Sequence, residues 1–268
     1  MIFYFTGTGN SLYAAQRIRE VTGDRAISMA KCLLEDDLDY KMYSNERIGF
    51  VFPTHCWGTP WLVDQFLDRL TIKPSDGYGD DEERLDATFV YAVITCGSSI
   101  GNADKMLAKK LAKKGIKLNA IYSLKMVDNY VTGFDIVSEE KQAKIMEKCD
   151  TELRRICADL LNRRDHQHPD KSAAGIALSK LNKLFKSKGR GTKDFYADDS
   201  CVGCGLCESI CPIGCIKLGE DRKPEWTLES CAFCLGCINR CPHRAIQFGK
   251  KTQKRGRFVN PIFTEIEE

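Results

Sequence analysis

The sequence predicts an α/β domain built on an open, doubly wound parallel sheet, followed by a small cysteine-rich α+β domain. Two observations carry this prediction. Short apolar runs alternate with amphipathic helical patterns over residues 1–165, and nine of the fourteen cysteines fall between residues 201 and 241. Alternating strand and helix patterns build doubly wound sheets. We therefore expect a first domain at 1–165, a linker at 166–192 and a second domain at 193–268.

Length and charge exclude several classes of function. The chain has 268 residues, 43% of them hydrophobic, which is room for about two domains of roughly 100–200 residues. A net charge of +3 is too mild to indicate nucleic-acid binding. No apolar run approaches the roughly 18 residues of a membrane span, and the start lacks the layout of a secretion signal. We expect a cytoplasmic protein with no nucleic-acid partner and no membrane span.

Five strands are predicted from the apolar runs of the first domain. Four runs read as buried parallel strands, and a weaker one lies near 25–29. Helical faces between the runs are marked by Leu12, Ala15 and Ile18 and, further on, by Ala103, Met106, Leu107 and Leu111. Segment 138–163 repeats the helical pattern, with a start at Ser138. The four clear runs lie at 2–5, 48–52, 89–94 and 121–127.

The linker contains a basic amphipathic stretch at 173–190. Ile176, Leu181, Leu184 and Phe185 lie on one side of a helical projection. A helix lying on a membrane surface would show this pattern, but a connecting helix packed between the two domains is the preferred interpretation.

Each half of the cysteine-rich region reads C-x2-C-x2-C-x3-C-P, at 201–212 and again at 231–242. In bacterial two-cluster proteins, three cysteines of one run hold a [4Fe–4S] cube and the fourth reaches the other cube. Zinc is the rival interpretation, but it does not explain the third cysteine or the x3-C-P ending. The predicted ligands are Cys201, Cys204, Cys207 and Cys241 for cluster one, and Cys231, Cys234, Cys237 and Cys211 for cluster two.

The loops around these cysteines are predicted to turn tightly and aim backbone amides at the sulfurs, which Gly203, Gly205 and Gly236 permit. Cys215 falls outside the ligand register, and we expect it to be a small buried filler. The region resembles bacterial-type two-[4Fe–4S] ferredoxins over about 50 residues, with all eight ligand positions matched. The resemblance implies one-electron transfer.

The N-terminal stretch "FTGTGNSLYAA" (5–15) follows the first strand and opens the first helix. It has no Walker lysine and no third glycine of a dinucleotide fingerprint. Its hydroxyls, its glycine amides and the helix dipole suit a phosphate held without a cation, such as that of FMN. The run resembles the flavodoxin phosphate loop, which implies FMN at the switch point of a sheet ordered 2-1-3-4-5.

Two later loops are predicted to flank the flavin ring. "PTHCWGTP" (53–60) offers Trp57 for stacking, or as an ordinary core residue, and "TCGSSIGNA" (95–103) offers amides for the polar edge of the ring. Either Tyr130 covers the outer flavin face or that face is open. Cys56 and Cys96 receive no redox role. The expected FMN contacts are Thr6, Gly7, Thr8, Gly9, Asn10, Ser11, Pro53, Thr54, Trp57, Gly58, Cys96, Gly97, Ser98, Ser99, Gly101, Asn102 and Tyr130.

As a whole the chain resembles the flavodoxin–ferredoxin fusion proteins of anaerobic prokaryotes. This implies an iron–sulfur flavoprotein that relays single electrons between two [4Fe–4S] clusters and FMN, with an external redox protein as donor or acceptor. The alternative is a ferredoxin-dependent reductase of a small organic acceptor at the open flavin face. No acid–base pair indicates catalytic residues, and no nicotinamide fingerprint is present. The charged run 250–257 is predicted to be solvated, to attract an acidic redox partner, or to fold back with Phe258 and Pro261 onto the first domain.

Overall fold

The structure is a computed structural model. It describes residues 1–43, 46–74, 88–167 and 169–263. The last five residues of the predicted second domain therefore lie outside the described part.

Five parallel strands form the main sheet in the order β2-β1-β4-β6-β7. Counted along the sheet's own strands this order is 2-1-3-4-5, as predicted, and it is consistent with a flavodoxin-like fold. A separate parallel pair, β3 with β5, was not predicted. The strands are β1 (Ile2–Tyr4), β2 (Ala26–Ser28), β3 (Asp39–Met42), β4 (Arg47–Pro53), β5 (Thr71–Pro74), β6 (Phe89–Cys96) and β7 (Ala120–Lys125).

Helices cover both faces of this sheet. Ala15 and Ile18 of one helix share a buried core with Leu153 and Ile156 of another, while Phe66 belongs to the core on the opposite face. No helix in the described ranges is long and apolar enough to cross a membrane. The helices of this part are α1 (Asn10–Thr22), α2 (Met29–Glu35), α3 (Trp61–Arg69), α4 (Ala103–Ala112) and α5 (Glu139–Leu161).

The cysteine-rich part folds as a small α+β unit. Two antiparallel pairs, β8 with β11 and β9 with β10, frame two short helices. Its core contains Phe195, Phe233 and Ile246 together with Val131 from the preceding part of the chain. The elements are β8 (Phe195–Ala197), α8 (Leu206–Ser209), β9 (Ile216–Leu218), β10 (Pro224–Trp226), α9 (Gly236–Arg240) and β11 (Ile246–Phe248), with a 3₁₀ turn at Thr252–Lys254. Two helices of the predicted linker, α6 (Ala173–Leu178) and α7 (Leu181–Lys188), precede β8 in the chain.

The linker differs from the prediction in two ways. The single predicted helix is the pair α6 and α7. Of the predicted apolar side, Phe185 packs against Phe233, with ring centroids 5.6 Å apart, but the other three residues are exposed while a polar residue is buried. Asn182 is 1% exposed and donates to the main-chain oxygens of His55 and Thr59, at 2.7 and 3.3 Å. Leu184 is 55% exposed, and Ile176 and Leu181 are exposed as well. Hydrogen bonds to loop carbonyls, which the helical projection cannot show, decide which side packs.

Candidate metal centre and the loops beside it

The two cysteine runs repeat in backbone conformation as well as in sequence. Gly203 and Phe233, thirty positions apart, both have left-handed backbones with φ of 68° and 51°. Gly205 and Leu235 repeat this with φ of 81° and 57°. Left-handed backbone is easy for glycine and costly for other residues. The second run therefore maintains the same turns against a steric penalty.

Side-chain burial explains why that penalty is tolerated. Phe233 is buried, with ring centroids 5.6 Å from Phe185 and 5.9 Å from Phe195, and Leu235 lies in the same core. Gly236 was expected to permit a tight turn. Instead it begins α9, and an added Cβ there would lie 3.0 Å from the main-chain oxygen of Gly7. Close approach of another chain segment is what requires glycine at this position.

Four cysteines surround one cavity of about 20 Å³. Three come from the first run and the fourth, Cys241, comes from the second run, as predicted for cluster one. The lining therefore brings together the four cysteines of one predicted ligand set, and four thiolates are the donors that a [4Fe–4S] cluster needs. The four cysteines are Cys201, Cys204, Cys207 and Cys241, and Leu218 and Ile246 are among the apolar residues that line the cavity with them.

The remaining four predicted ligands form a second group. Cys234 is close enough to Cys231 and Cys211 for their charges to interact, and Cys237 faces the same group. Backbone amides aim at the sulfurs here: the amide of Phe233 donates to Cys231 Sγ at 3.2 Å, and the buried Cys215 donates its amide to Cys211 Sγ at 3.2 Å. Amide donors stabilise sulfur-ligated clusters and tune their potentials.

Burial raises the pKa of two cysteines of the second group. It raises the pKa of the Cys234 thiol to about 12 and that of Cys237 well above its ordinary value. Without a cluster both are neutral thiols at pH 7. Because the ligands must be thiolates, assembly of a cluster here releases protons.

The two groups differ in exposure. Cys204 is exposed and the neighbouring Val202 is 60% exposed, so the first group lies at the protein surface. Ala232 belongs to the core of the parallel sheet, and Cys234 packs against that core. The second group is therefore enclosed between the two parts of the chain.

The three loops predicted to hold FMN do meet at the carboxyl edge of the sheet. Ser11 Oγ lies 2.8 Å from Thr95 Oγ1, and the amide of Thr54 donates to the main-chain oxygen of Thr95 at 2.8 Å. Loops after parallel strands share one edge of a sheet, so the sequence predicts this convergence correctly.

The polar side chains of the first loop are engaged within the chain. The main-chain oxygen of Thr8 accepts from the amide of Asn260 at 2.8 Å, and its hydroxyl contacts the Asn129 amide group. Asn10 donates to the main-chain oxygen of Val127 at 2.9 Å and accepts from Asn260 at 3.2 Å. Thr6 Oγ1 accepts from the Gly9 amide at 3.0 Å. Gly7 faces Cys234.

The two ring-flanking loops touch each other. The main-chain oxygen of Trp57 accepts from the amide of Asn102 at 3.1 Å, and a Cβ on Gly101 would lie 2.6 Å from the Trp57 Cβ. Linker residues pack on both loops: Ser172 donates its amide to Ser99 Oγ at 3.1 Å, and Gly58 lies against Asn182.

The other predicted contacts are dispersed. Gly97 and Ser98 are exposed, with Gly97 beside the carboxylate of Asp128, and Cys96 is buried. Pro53 ends β4, and Thr54 donates its hydroxyl to Gly58. Tyr130 is exposed, and its ring centroid is 6.4 Å from that of Phe233.

FMN does not fit this arrangement. The loops expected to sandwich its ring are in direct contact. Gly7 and Gly9, whose amides were expected to approach its phosphate, are covered by Cys234 and by Asn260. The residues that fill the space were not predicted to lie at this edge of the sheet. They are Asn129, Asn182, the segment 258–263, which we call the tail, and Cys234, which the sequence analysis assigned to cluster two.

Three alternatives were predicted for the charged run 250–257, and the structure shows that the chain folds back after it. Phe258 and Ile262 are buried, whereas Pro261 is exposed. Arg255 donates to the main-chain oxygen of Val131 at 2.7 Å, so part of the charged run is also fixed on the preceding part of the chain.

Comparison with known proteins identifies the class of the C-terminal part. Residues 200–245 match the family described as "4Fe-4S dicluster domain". This part of the chain is therefore a ferredoxin-type dicluster domain. The match supports a role in iron–sulfur electron transfer. No curated protein matches the chain.

Among solved structures, the chain is similar to the Trp repressor binding protein from Bacillus subtilis, with 13% sequence identity and a TM-score of 0.33. The match covers 47% of this chain and 84% of the other. A similarity of this size carries no information on function.

Proposed function

We propose that this protein carries single electrons through two [4Fe–4S] clusters held by crossed cysteine sets. The observation that carries the proposal is the single cavity lined by Cys201, Cys204, Cys207 and Cys241, because Cys241 belongs to the other run. Each cluster, when bound, supplies a centre that takes up or gives one electron.

The residues of the chain supply shape, burial and hydrogen bonds. Backbone amides at Phe233 and Cys215 donate to ligand sulfurs of the second set. Apolar side chains such as Leu218 and Ile246 line the cavity of the first set. The exposed side at Val202 and Cys204 is where an external redox protein would exchange electrons.

A relay between the clusters and FMN, and a ferredoxin-dependent reductase acting at an open flavin face, were both predicted from the sequence. Each needs FMN at the carboxyl edge of the sheet. Since Trp57 and Gly101 are in contact and Asn260 lies over Gly9, we derive no step through FMN.

Anaerobic purification followed by iron and acid-labile sulfide analysis tests the proposed function. We expect about eight iron and about eight sulfide per chain, as two four-iron cubes require. Stoichiometric zinc with no sulfide would contradict the proposal.

A further inference from the structure

We propose that the carboxyl edge of the parallel sheet seats the second cluster's binding loop in place of a flavin. The segment 231–237, which we call the cluster-two loop, occupies the position expected for a bound cofactor. The inference rests on the proposed function, since it concerns how one of the two clusters is held.

Contact between two main chains is the first observation. A methyl group on Gly7 would overlap the main-chain oxygen of Cys234 and lie 3.1 Å from its Cβ. From the other side, a Cβ on Gly236 would lie 3.0 Å from the Gly7 oxygen. Glycine at both positions lets a ligand-bearing loop lie directly on the loop after β1. The same absence of a side chain would let a phosphate approach, so the sequence motif alone does not distinguish the two occupants.

A second observation is that the tail closes the rest of this loop. A Cβ on Gly9 would lie 2.7 Å from the Cβ of Asn260, and Ile262 and Phe263 lie over the same glycine. The Arg240 guanidinium of α9 stacks on the Phe263 ring at 3.8 Å. The loop that leads into α1 is therefore covered by the cluster-two loop at Gly7 and by the tail at Gly9.

The hydrophobic cores of the two parts interpenetrate. Ala232 is buried in the core of the sheet, and Ile213 and Cys234 pack against that core. In the opposite direction, Val131 is fully buried in the core of the cysteine-rich part. Asn239 donates to the main-chain oxygen of Asn129 at 3.3 Å beside them. An interface that shares residues with both cores is part of the fold. It holds the second ligand group in place and shields it from water.

The first test measures flavin and iron in the same anaerobically purified, full-length protein. We expect about eight iron and no flavin, and no quenching of FMN fluorescence when FMN is added. One FMN per chain retained through gel filtration would overturn this inference while leaving the two-cluster function intact. Absence of iron would overturn both.

A pair of glycine variants tests the seat itself. Gly7→Ala places a methyl group against Cys234, and we expect iron to fall from about eight toward about four per chain with cluster one retained. Gly191→Ala is the matched control, because the nearest atom to its added Cβ is 4.0 Å away. Full cluster content and unchanged reduction potentials in Gly7→Ala would overturn the proposal.

Asn260→Ala keeps the test valid should Gly7→Ala fail to fold. It removes the side-chain bond to Asn10 without touching a cysteine. In the parent protein we expect a chelator to remove iron in a fast phase and a slow phase. In Asn260→Ala the slow phase should become several-fold faster, and the fast phase should be unchanged. Equal rates in variant and parent would contradict the assigned role of the tail.

Discussion

Gly7 and Cys234 touch through their main chains, although one follows the first strand of the sheet and the other lies in the second cysteine run. The contact makes the sheet domain a structural part of the cluster-two site. Variants in either half of the chain are therefore expected to change the properties of the other.

Cys241→Ser is expected to abolish cluster one, although Cys241 lies in the second cysteine run. Its side chain lines the cavity formed by Cys201, Cys204 and Cys207. Iron should fall from about eight to about four per chain, measured together with electron paramagnetic resonance of the reduced protein. Cys215→Ala is the control and should retain all iron. Loss of the enclosed cluster in Cys241→Ser would refute the crossed ligand sets.

Oxidative bleaching is expected to proceed in two phases of similar amplitude. The first cysteine group lies at the surface beside Val202, whereas Cys234 packs against the core of the sheet. A charged oxidant such as ferricyanide reaches an exposed cluster sooner than an enclosed one. Stopped-flow absorbance in the visible range measures the phases. Cys241→Ser should retain only the slow phase, and a single phase in the parent protein would show that the clusters are equally accessible.

In the linker, loss of a polar residue should cost more stability than loss of an apolar one. Asn182→Ala leaves the main-chain oxygens of His55 and Thr59 without this donor, at a cost of about 1–3 kcal/mol. Leu184→Gln changes an exposed side chain and should stay within about 0.5 kcal/mol. Thermal denaturation at one scan rate compares the midpoints. The reverse ranking would mean that the leucine side of α7 is the packed one.

Stability should fall in mild acid because of His55. Burial, aided by nearby Lys186, lowers its pKa from 6.5 to about 4. The unfolded chain then binds more protons between these two values, so the free energy of unfolding decreases as pH falls from about 6.5 toward about 4. His55→Gln should flatten the profile between pH 7 and pH 5, measured by thermal denaturation. Parallel profiles for parent and variant would remove His55 as the cause.

The main sheet could be predicted because its central strands are buried on both faces and read as apolar runs. All eight residues of β6 are buried. The pair β3 and β5 escaped prediction because β3 alternates exposed and buried residues over only four positions. The cysteine spacing carried the cluster assignment, since ligand register is written directly in the sequence.

The occupant of the sheet edge could not be predicted in this way. Gly9 leaves the space through which a phosphate would approach the loop, and the Cβ of Asn260 lies over that glycine instead. Residues so distant in sequence leave no periodic signal that would pair them. Phe258 gave the only hint, as an apolar residue directly after a charged run.

The bond between Asn10 and Asn260 also bears on the order in which these contacts can form during synthesis. The loop that opens the first helix meets its partner only after a further 250 residues have been synthesised. Contacts between such distant residues form slowly. Until the tail has been synthesised and has packed, the start of α1 is exposed to solvent and to other chains. The same holds for the apolar surface of the sheet that Ala232 covers in the folded protein. A chain whose tail has not yet docked is therefore a partly folded, aggregation-prone intermediate.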